Sequence, residues 1–402
     1  MIEPSRSRLP AGQLPRIPRM HLVLAFSTFL LIGGNDGALG VLIPDIRVAY
    51  RIDAATVSWL FLCFAAGYLA ATFTTGPLMA WLGVRRFLLV GQGLVAVGAG
   101  LYGLGLPFPL FLCVGTLLGC GIGIVDAGLN AYVASLPGNA VLLNYLHACY
   151  GAGALLGPLL ASTLLALQLG WQATYLSWCA LALLLFCGCW LTFQRAPRSS
   201  RQAVSRAAGG SLLSALRRQG VWLAAFFLFF YTGTEVAVGN WGYSFLILTR
   251  SGSLLFSAWV ISAYWCGLML GRLLLANLAP RLGLQRMITL CLMGVASGLL
   301  LIWTLPALWG AAPGLCLVGF SLGPLYPTTI ALASQIVSAR QLPGVVGFLS
   351  CLGSVGASFF PWLAGSLFEH LGFWFLPPFA LVLTLGMLGI WSRLAGESAL
   401  RA

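Results

Sequence analysis

Long apolar runs constrain this chain more than any other feature. Cut at its charges, prolines and polar turns, it falls into twelve segments, 20–44, 56–80, 87–106, 109–134, 139–168, 172–194, 221–247, 256–280, 287–306, 309–337, 342–369 and 373–395. A hydrocarbon core of about 30 Å takes about 20 helical residues, so each segment is long enough to cross a bilayer. The expectation is an all-α membrane protein with twelve transmembrane helices.

Composition excludes the rivals. The 402 residues are 60% hydrophobic and only 7% charged, whereas a soluble domain carries about 25% charged residues. The same hydrophobicity excludes intrinsic disorder, and the fifty glycines show no collagen period. All eleven cysteines lie inside predicted spans, with no C-x-x-C pair. They read as small buried hydrophobes, and neither a disulfide framework nor a metal site is expected. No phosphate-binding loop of the G-x-x-x-x-G-K-S/T type, G-x-S-x-G elbow or H-E-x-x-H pair occurs. The chain therefore reads as no enzyme, with no catalytic residues and no cofactor.

The formal net charge is +13, and every basic residue is Arg. These arginines sit between apolar runs instead of on one soluble face, so they read as topology determinants and no nucleic acid is expected as a partner. Twelve crossings put both termini on one side. That side carries seventeen arginines, including Arg6, Arg8, Arg16, Arg19, Arg85 and Arg86, against three (Arg47, Arg51, Arg250) on the other. The positive-inside pattern predicts a multi-pass integral protein of the bacterial inner membrane with both termini cytoplasmic. The N-terminus has no small-residue cleavage site before a short apolar core, so no cleaved signal peptide is expected. The expected organisation is a cytoplasmic tail (1–19), a first six-helix bundle (20–194), a basic cytoplasmic linker (195–220), a second six-helix bundle (221–395) and a short tail (396–402). The linker's end, Ser211 to Gln219, reads either as an amphipathic surface helix or as part of a basic tether.

The two halves repeat at an offset of 200 residues. Leu82-Gly83-Val84-Arg85-Arg86 aligns with Leu282-Gly283-Leu284-Gln285-Arg286, Gly119-Cys120-Gly121-Ile122-Gly123 with Gly319-Phe320-Ser321-Leu322-Gly323, Gly67 with Gly267, and Gly153 with Gly353. Two parallel six-span repeats are the plan of a secondary transporter rocking about a midplane site.

From its first span to its last the chain resembles the major facilitator superfamily. Gly76-Pro77-Leu78-Met79-Ala80-Trp81-Leu82-Gly83-Val84-Arg85-Arg86 is similar to that superfamily's gating-loop motif between spans 2 and 3, with Ala80 in place of the usual Asp. The resemblance implies a gating role for Gly76, Gly83, Arg85 and Arg86, and leaves open the salt bridge that the Asp would make. It also implies a major facilitator fold of two pseudo-symmetric six-helix bundles. A narrower likeness rests on Asn35-Asp36, on Asp126 with Asn130, on the stretch Asn144 to Ala154 with Gly157-Pro158, and on Glu235 to Trp241. These resemble the fucose–galactose–glucose:proton symporter group, which implies proton coupling and sugar binding through a span 1 Asp, a span 4 acid and a span 5 Asn.

Asp36, Asp126, His147 and Glu235 lie inside spans. An ionisable group there costs about 2.5–3.5 kcal/mol on insertion scales, which marks all four as candidates for proton coupling. Glu3, Asp45, Asp53 and Glu397 read as terminal or loop residues, and Glu369 with His370 as a span end. Asp126 lies ten residues before the turn between spans 4 and 5 and His147 eight after its far side, so both fall about 12–15 Å from the turn. They are expected to meet, either as a proton-binding pair or as a static hydrogen bond. Asp36 and Glu235 occupy nearly equivalent places in spans 1 and 7. The glycines around Asp36 (Gly33, Gly34, Gly37, Gly40) read either as a helix able to bend or as close helix packing. Asn35, Asn130, Asn144, Asn240, Trp241 and Tyr326 are candidate substrate-binding residues: amides for hydroxyl groups and an aromatic face for a ring. Arg272, inside span 8, reads as a snorkelling residue or as a counter-charge to an acid.

The expectation is a monomeric secondary transporter whose partners are the lipid bilayer and a small polar solute such as a monosaccharide. The coupling ion is the proton, with sodium as the alternative. A proton-driven exporter of amphipathic or lipid-like compounds is the first rival, and a non-transporting sensor on the same fold the second.

Overall fold

The computed structural model describes residues 19–136, 139–193, 212–276, 279–305, 307–338 and 340–399. The tail over 1–18, residue 194 with the greater part of the predicted linker (195–211) and the last three residues lie outside the described residues. Twelve helices among those described are long and apolar enough to cross a membrane: α1 (Arg19–Tyr50), α2 (Ala54–Leu82), α3 (Val84–Gly103), α4 (Phe108–Ala134), α5 (Val141–Ala166), α6 (Gln172–Thr192), α7 (Gln219–Arg250), α8 (Leu254–Leu275), α9 (Leu284–Thr304), α10 (Leu308–Ile336), α11 (Gly344–Leu371) and α12 (Phe373–Ala395). No strand occurs among the described residues.

The helix ends follow local chemistry. Gly83 and Gly283 close α2 and precede α9 at φ of 76° and 79°, a backbone region in which only glycine carries no Cβ penalty. Pro44 and Pro158 fall inside helices. α10 is interrupted at Gly323-Pro324 between Leu308–Leu322 and Leu325–Ile336, because proline supplies no backbone donor. The first span is longer than its apolar run. The helix continues past Pro44 to Tyr50, so Asp45 and Arg47 are helical and not loop residues. Burial explains the extension: Ile43 and Ile46 are fully packed and hold the last turns against their neighbours.

Each half packs in the same pattern. α1 lies on α5, α2 on α4, α3 on α4 and α6; correspondingly α7 lies on α11, α8 on α10, and α9 on α10 and α12. The repeat holds at single contacts. Gly67 of α2 meets Thr116 and Cys120 of α4, and Gly267 of α8 meets Cys316 and Phe320 of α10; Gly119 faces Phe64 as Gly319 faces Tyr264. The fold is two pseudo-symmetric six-helix bundles.

α1 meets α7, α2 meets α11, and α5 meets α8 between the bundles. Side-chain contacts across this boundary gather at the end away from the termini. Trp59 meets Trp362 edge-on, Phe61 packs on Trp241, Gly40 lies against the Asn240 backbone, and Gly365 lies against Ser58 and Ala54. The Glu369 carboxylate accepts the Ala54 N–H at 2.8 Å and lies 3.9 Å from Arg47.

Candidate functional site

Close packing of α1 on α5 positions the first acid. A Cβ on Gly33 would fall 1.9 Å from the Tyr150 carbonyl oxygen, and one on Gly153 would fall 2.1 Å from that of Leu30. Side-chain-free approach of this kind is how small residues join membrane helices, so the glycines around Asp36 serve packing. That approach brings the Tyr150 hydroxyl to Asp36, to which it donates at 3.0 Å. The Asn35 amide donates to the other Asp36 oxygen at 3.2 Å.

Asp126 is held differently from the expectation. Its carboxylate accepts from the Tyr68 hydroxyl of α2 at 2.5 Å and from Asn130, one helical turn on, at 2.8 Å. The expected Asp126–His147 pair does not form. α4 packs on α2 and α3, whereas the glycine face of α5 turns toward α1, so the two helices diverge from their shared turn. His147 instead sets its ring edge-on to Phe29, centroids 5.6 Å apart, and is exposed. It shares a helix face with Tyr150 and Gly151, and Gly151 touches Met269 of α8. His147 therefore points between the halves. Asn144, one turn before it, is also exposed.

The third acid has a cation. Arg272 of α8 places Nη2 3.2 Å from Glu235 Oε1 and 3.5 Å from Oε2, and 3.4 Å from the Tyr231 hydroxyl. The Tyr264 hydroxyl donates to the Glu235 backbone carbonyl at 2.8 Å. Arg272 does not snorkel to the end of its helix, which corrects the first of its two readings. A helical side chain points back toward its own N-terminus, and here that direction leads to Glu235. Asp36 and Glu235 are held differently: one by hydroxyl and amide donors, the other by a guanidinium.

These groups converge. Asp36 and Asp126 lie close enough for their charges to act on each other, as do Tyr326 and Asp126, Arg272 and His147, and Tyr150 with both Glu235 and Arg272. Tyr326 shares a hydrogen bond with Ser350 at 2.8 Å. The polar interior is thus built from α1, α2, α4, α5, α7, α8, α10 and α11.

Two predicted ligands lie elsewhere in this conformation. Trp241 is fully buried; its indole donates to the Pro361 carbonyl at 2.9 Å and its ring packs among Phe61, Phe368 and Phe373. It belongs to the closed end. Asn240 lies beside it, its amide donating to Val236 O at 3.0 Å and its Oδ1 buried without a partner among the described residues. Of the expected gating-loop residues only Gly83 lies between helices, with Gly76 inside α2 and Arg85 and Arg86 in the first turn of α3; Arg85 donates to the Trp190 carbonyl at 2.8 Å and lies over its ring, which ties this end of α3 to α6 within one half. Gly76 and Arg86 are exposed.

Sequence reasoning passed over Tyr68, Tyr150 and Tyr231. Among eleven tyrosines, nothing in the sequence separates an acid's partner from an interfacial belt residue. Arg272 was the available signal, since a cation within a span needs an anion or an aqueous surface.

Two six-helix repeats around an ionisable interior are the plan of a membrane transporter. A sequence model of the Major Facilitator Superfamily matches residues 24–311, and the chain belongs to that superfamily. It is 25% identical over 399 residues to bypass of stop codon protein 6 of Saccharomyces cerevisiae, covering 89% of this chain and 79% of that one. It is 23% identical over 379 residues to the glucose/mannose transporter GlcP of Bacillus subtilis, covering 91% and 90%. The crystal structure of the nucleoside transporter NupG has a TM-score of 0.77 to this fold at 12% identity, covering 94% and 98%; at that identity the likeness is one of fold.

Proposed function

We propose that the chain is a proton-coupled symporter of a small neutral sugar, acting as a monomer in a bacterial inner membrane with both termini cytoplasmic. One observation carries the reading. Asp36 and Asp126 are embedded among the helices, each is held by a tyrosine of a neighbouring helix and an amide of its own, and no cation is bonded to either among the described residues. A carboxylate with hydroxyl and amide partners can be closed into a dry interior as a neutral acid; as an anion it carries a heavy desolvation cost. Loading a proton on either acid thus permits the halves to close around the solute, and releasing it on the other side favours reopening. Glu235, already neutralised by Arg272, carries no coupling proton in this scheme. The sugar assignment draws on the glucose/mannose relative and on the amides and hydroxyls that line the interior. A second reading, export of amphipathic compounds, draws on an apolar groove of about 480 Å³ lined by Leu155, Leu159, Trp259, Cys266, Leu270 and Phe320.

Proteoliposomes holding a pH-sensitive dye test both readings. Hexoses, 6-deoxyhexoses and disaccharides are added one at a time without an imposed gradient. The expected result is internal acidification with one sugar, abolished in Asp126→Asn and in Asp36→Asn, with solute exchange retained in at least one variant. Silence across the panel beside a working control transporter, with quenching by an amphipathic dye instead, would replace sugar symport by export.

A further inference from the structure

Arg272 has more hydrogen-bonding capacity than its partners use. Among the described residues its Nη2 makes all of the side chain's hydrogen bonds, to Glu235 and Tyr231. Nε is buried with no partner among the described residues. A guanidinium has five N–H groups in a planar fork, and an arginine held for charge alone would present that fork to the carboxylate. Here one nitrogen reaches both Glu235 oxygens, and the rest of the fork is left over. The side chain keeps 32% of its exposure and lies within charge range of His147 and Tyr150 on the opposite half. Nε itself is enclosed, so the donors that can border the polar interior between the halves are those of the exposed remainder of the fork, Nη1 above all.

The electrostatics limit what those donors can receive. Glu235 already balances the guanidinium, and Asp36 and Asp126 add two further carboxylates nearby. An anionic solute would meet a cation already balanced by Glu235, together with whichever of Asp36 and Asp126 carries no proton. A neutral pair of adjacent oxygen acceptors meets no such repulsion.

We propose that Arg272 is a specificity-determining residue that grips two adjacent oxygens of a neutral solute, the vicinal hydroxyl pair of a sugar, through its unused donors while Glu235 holds its charge. The proposal rests on the sugar reading above and deepens it. Glu235 is then a positioning residue, since it orients the guanidinium without touching the solute.

The test is a deoxy scan on two proteins. Solute affinity is measured by counterflow in proteoliposomes for the transported hexose, its monodeoxy analogues and its uronate, on the wild type and on Arg272→Lys. Lysine keeps a positive charge beside Glu235 but lacks the fork. A buried hydroxyl bonded to a charged donor contributes about tenfold or more to affinity. Loss of one of two adjacent hydroxyls should therefore weaken wild-type binding about tenfold or more. In Arg272→Lys the same deletion should cost less than about threefold, and the other deoxy analogues should keep their wild-type penalties. Unchanged penalties at those other positions also show that the variant is folded. The uronate should bind more weakly than the hexose in both proteins. Equal penalties at every position in the two proteins would remove Arg272 from the solute's contacts, and tighter binding of the uronate would overturn the neutral-solute class. A wild type that takes up none of the parent sugars fails in the wild-type arm alone, and so marks the failure of the sugar reading, with this proposal falling alongside it.

Discussion

At the scale of single residues, the interior separates acids by how they are held. Glu235 and Arg272 leave water together, with side-chain exposures of 11% and 32%. Breaking a buried pair from one side leaves an uncompensated charge and costs about 3–5 kcal/mol, whereas replacing both partners is often neutral. The partial exposure of Arg272 places this pair at or below the lower end of that range. Glu235→Gln and Arg272→Gln should each lower the melting temperature in detergent, by about 2–3 kcal/mol of stability, and the double variant should recover most of the loss. Additive losses in the double variant would show that the two charges are not coupled. The sequence made all three acids visible, because a charge inside an apolar run stands out whatever the fold. It could not say which acid had a cation. That depends on α8 sending Arg272 back along its axis, and on α4 and α5 diverging after their shared turn, so that Asp126 found Tyr68 and not His147.

At the scale of helices, the end away from the termini is closed by a latch between two elements. α2 begins there, and its first N–H groups have no partner within the helix. Asp53 accepts from the Thr56 N–H at 2.6 Å, and Glu369, from the end of α11, accepts from Ala54. Two carboxylates at a helix N-terminus also complement its dipole. The hydrogen bonds from Thr56 hold the Asp53 carboxyl below its usual range. The Asp53 cap is thus intact above the ordinary carboxylate pKa and is lost only as pH falls through the lower folded value, well outside the range of a transmembrane pH gradient. Glu369 is the part that can let go when the halves separate. Its ion pair with Arg47, at 3.9 Å and partly exposed, contributes about 0–1 kcal/mol, and its hydrogen bond to the helix contributes more. Glu369→Ala removes both and should favour opening by about 1–2 kcal/mol, roughly 5- to 30-fold in population. Glu369→Gln keeps an acceptor and should lie between. Hydrogen–deuterium exchange over residues 54–61 and 362–369 reads the shift, and identical protection in wild type and Glu369→Ala would dismiss the latch. The twelve spans were legible from apolar length alone; the latch was not, because a Glu at a span end has the sequence signature of a solvated residue. Its partner, the N-terminus of α2, is a backbone feature brought near only by the packing of the two halves.

At the scale of the molecule, the repeat explains why closure at one end implies a second state. Equivalent glycines make equivalent contacts in the two halves, so each bundle is a unit packed by its own rules. What joins the bundles is the set of pairs α1 with α7, α2 with α11 and α5 with α8. Contacts such as Trp59 on Trp362 and Phe61 on Trp241 lie at the end away from the termini, which the proposed orientation, with the termini cytoplasmic, puts outside. On that orientation the structure is the state closed to the outside. Transport by the proposed rocking motion would require those contacts to part, while binding of solute from the side of the termini would not. p-Benzoylphenylalanine in place of Trp59 puts a photoreactive group against α11, with the native ring centroids 5.8 Å apart. After irradiation, uptake into proteoliposomes should cease in the fraction that mass spectrometry shows to be cross-linked, while solute binding in detergent stays within about threefold of the unirradiated protein, a difference of about 0.7 kcal/mol. Uptake at full rate by a cross-linked protein would mean that this end need not open, and the two halves would then have to pass the solute by some motion other than rocking.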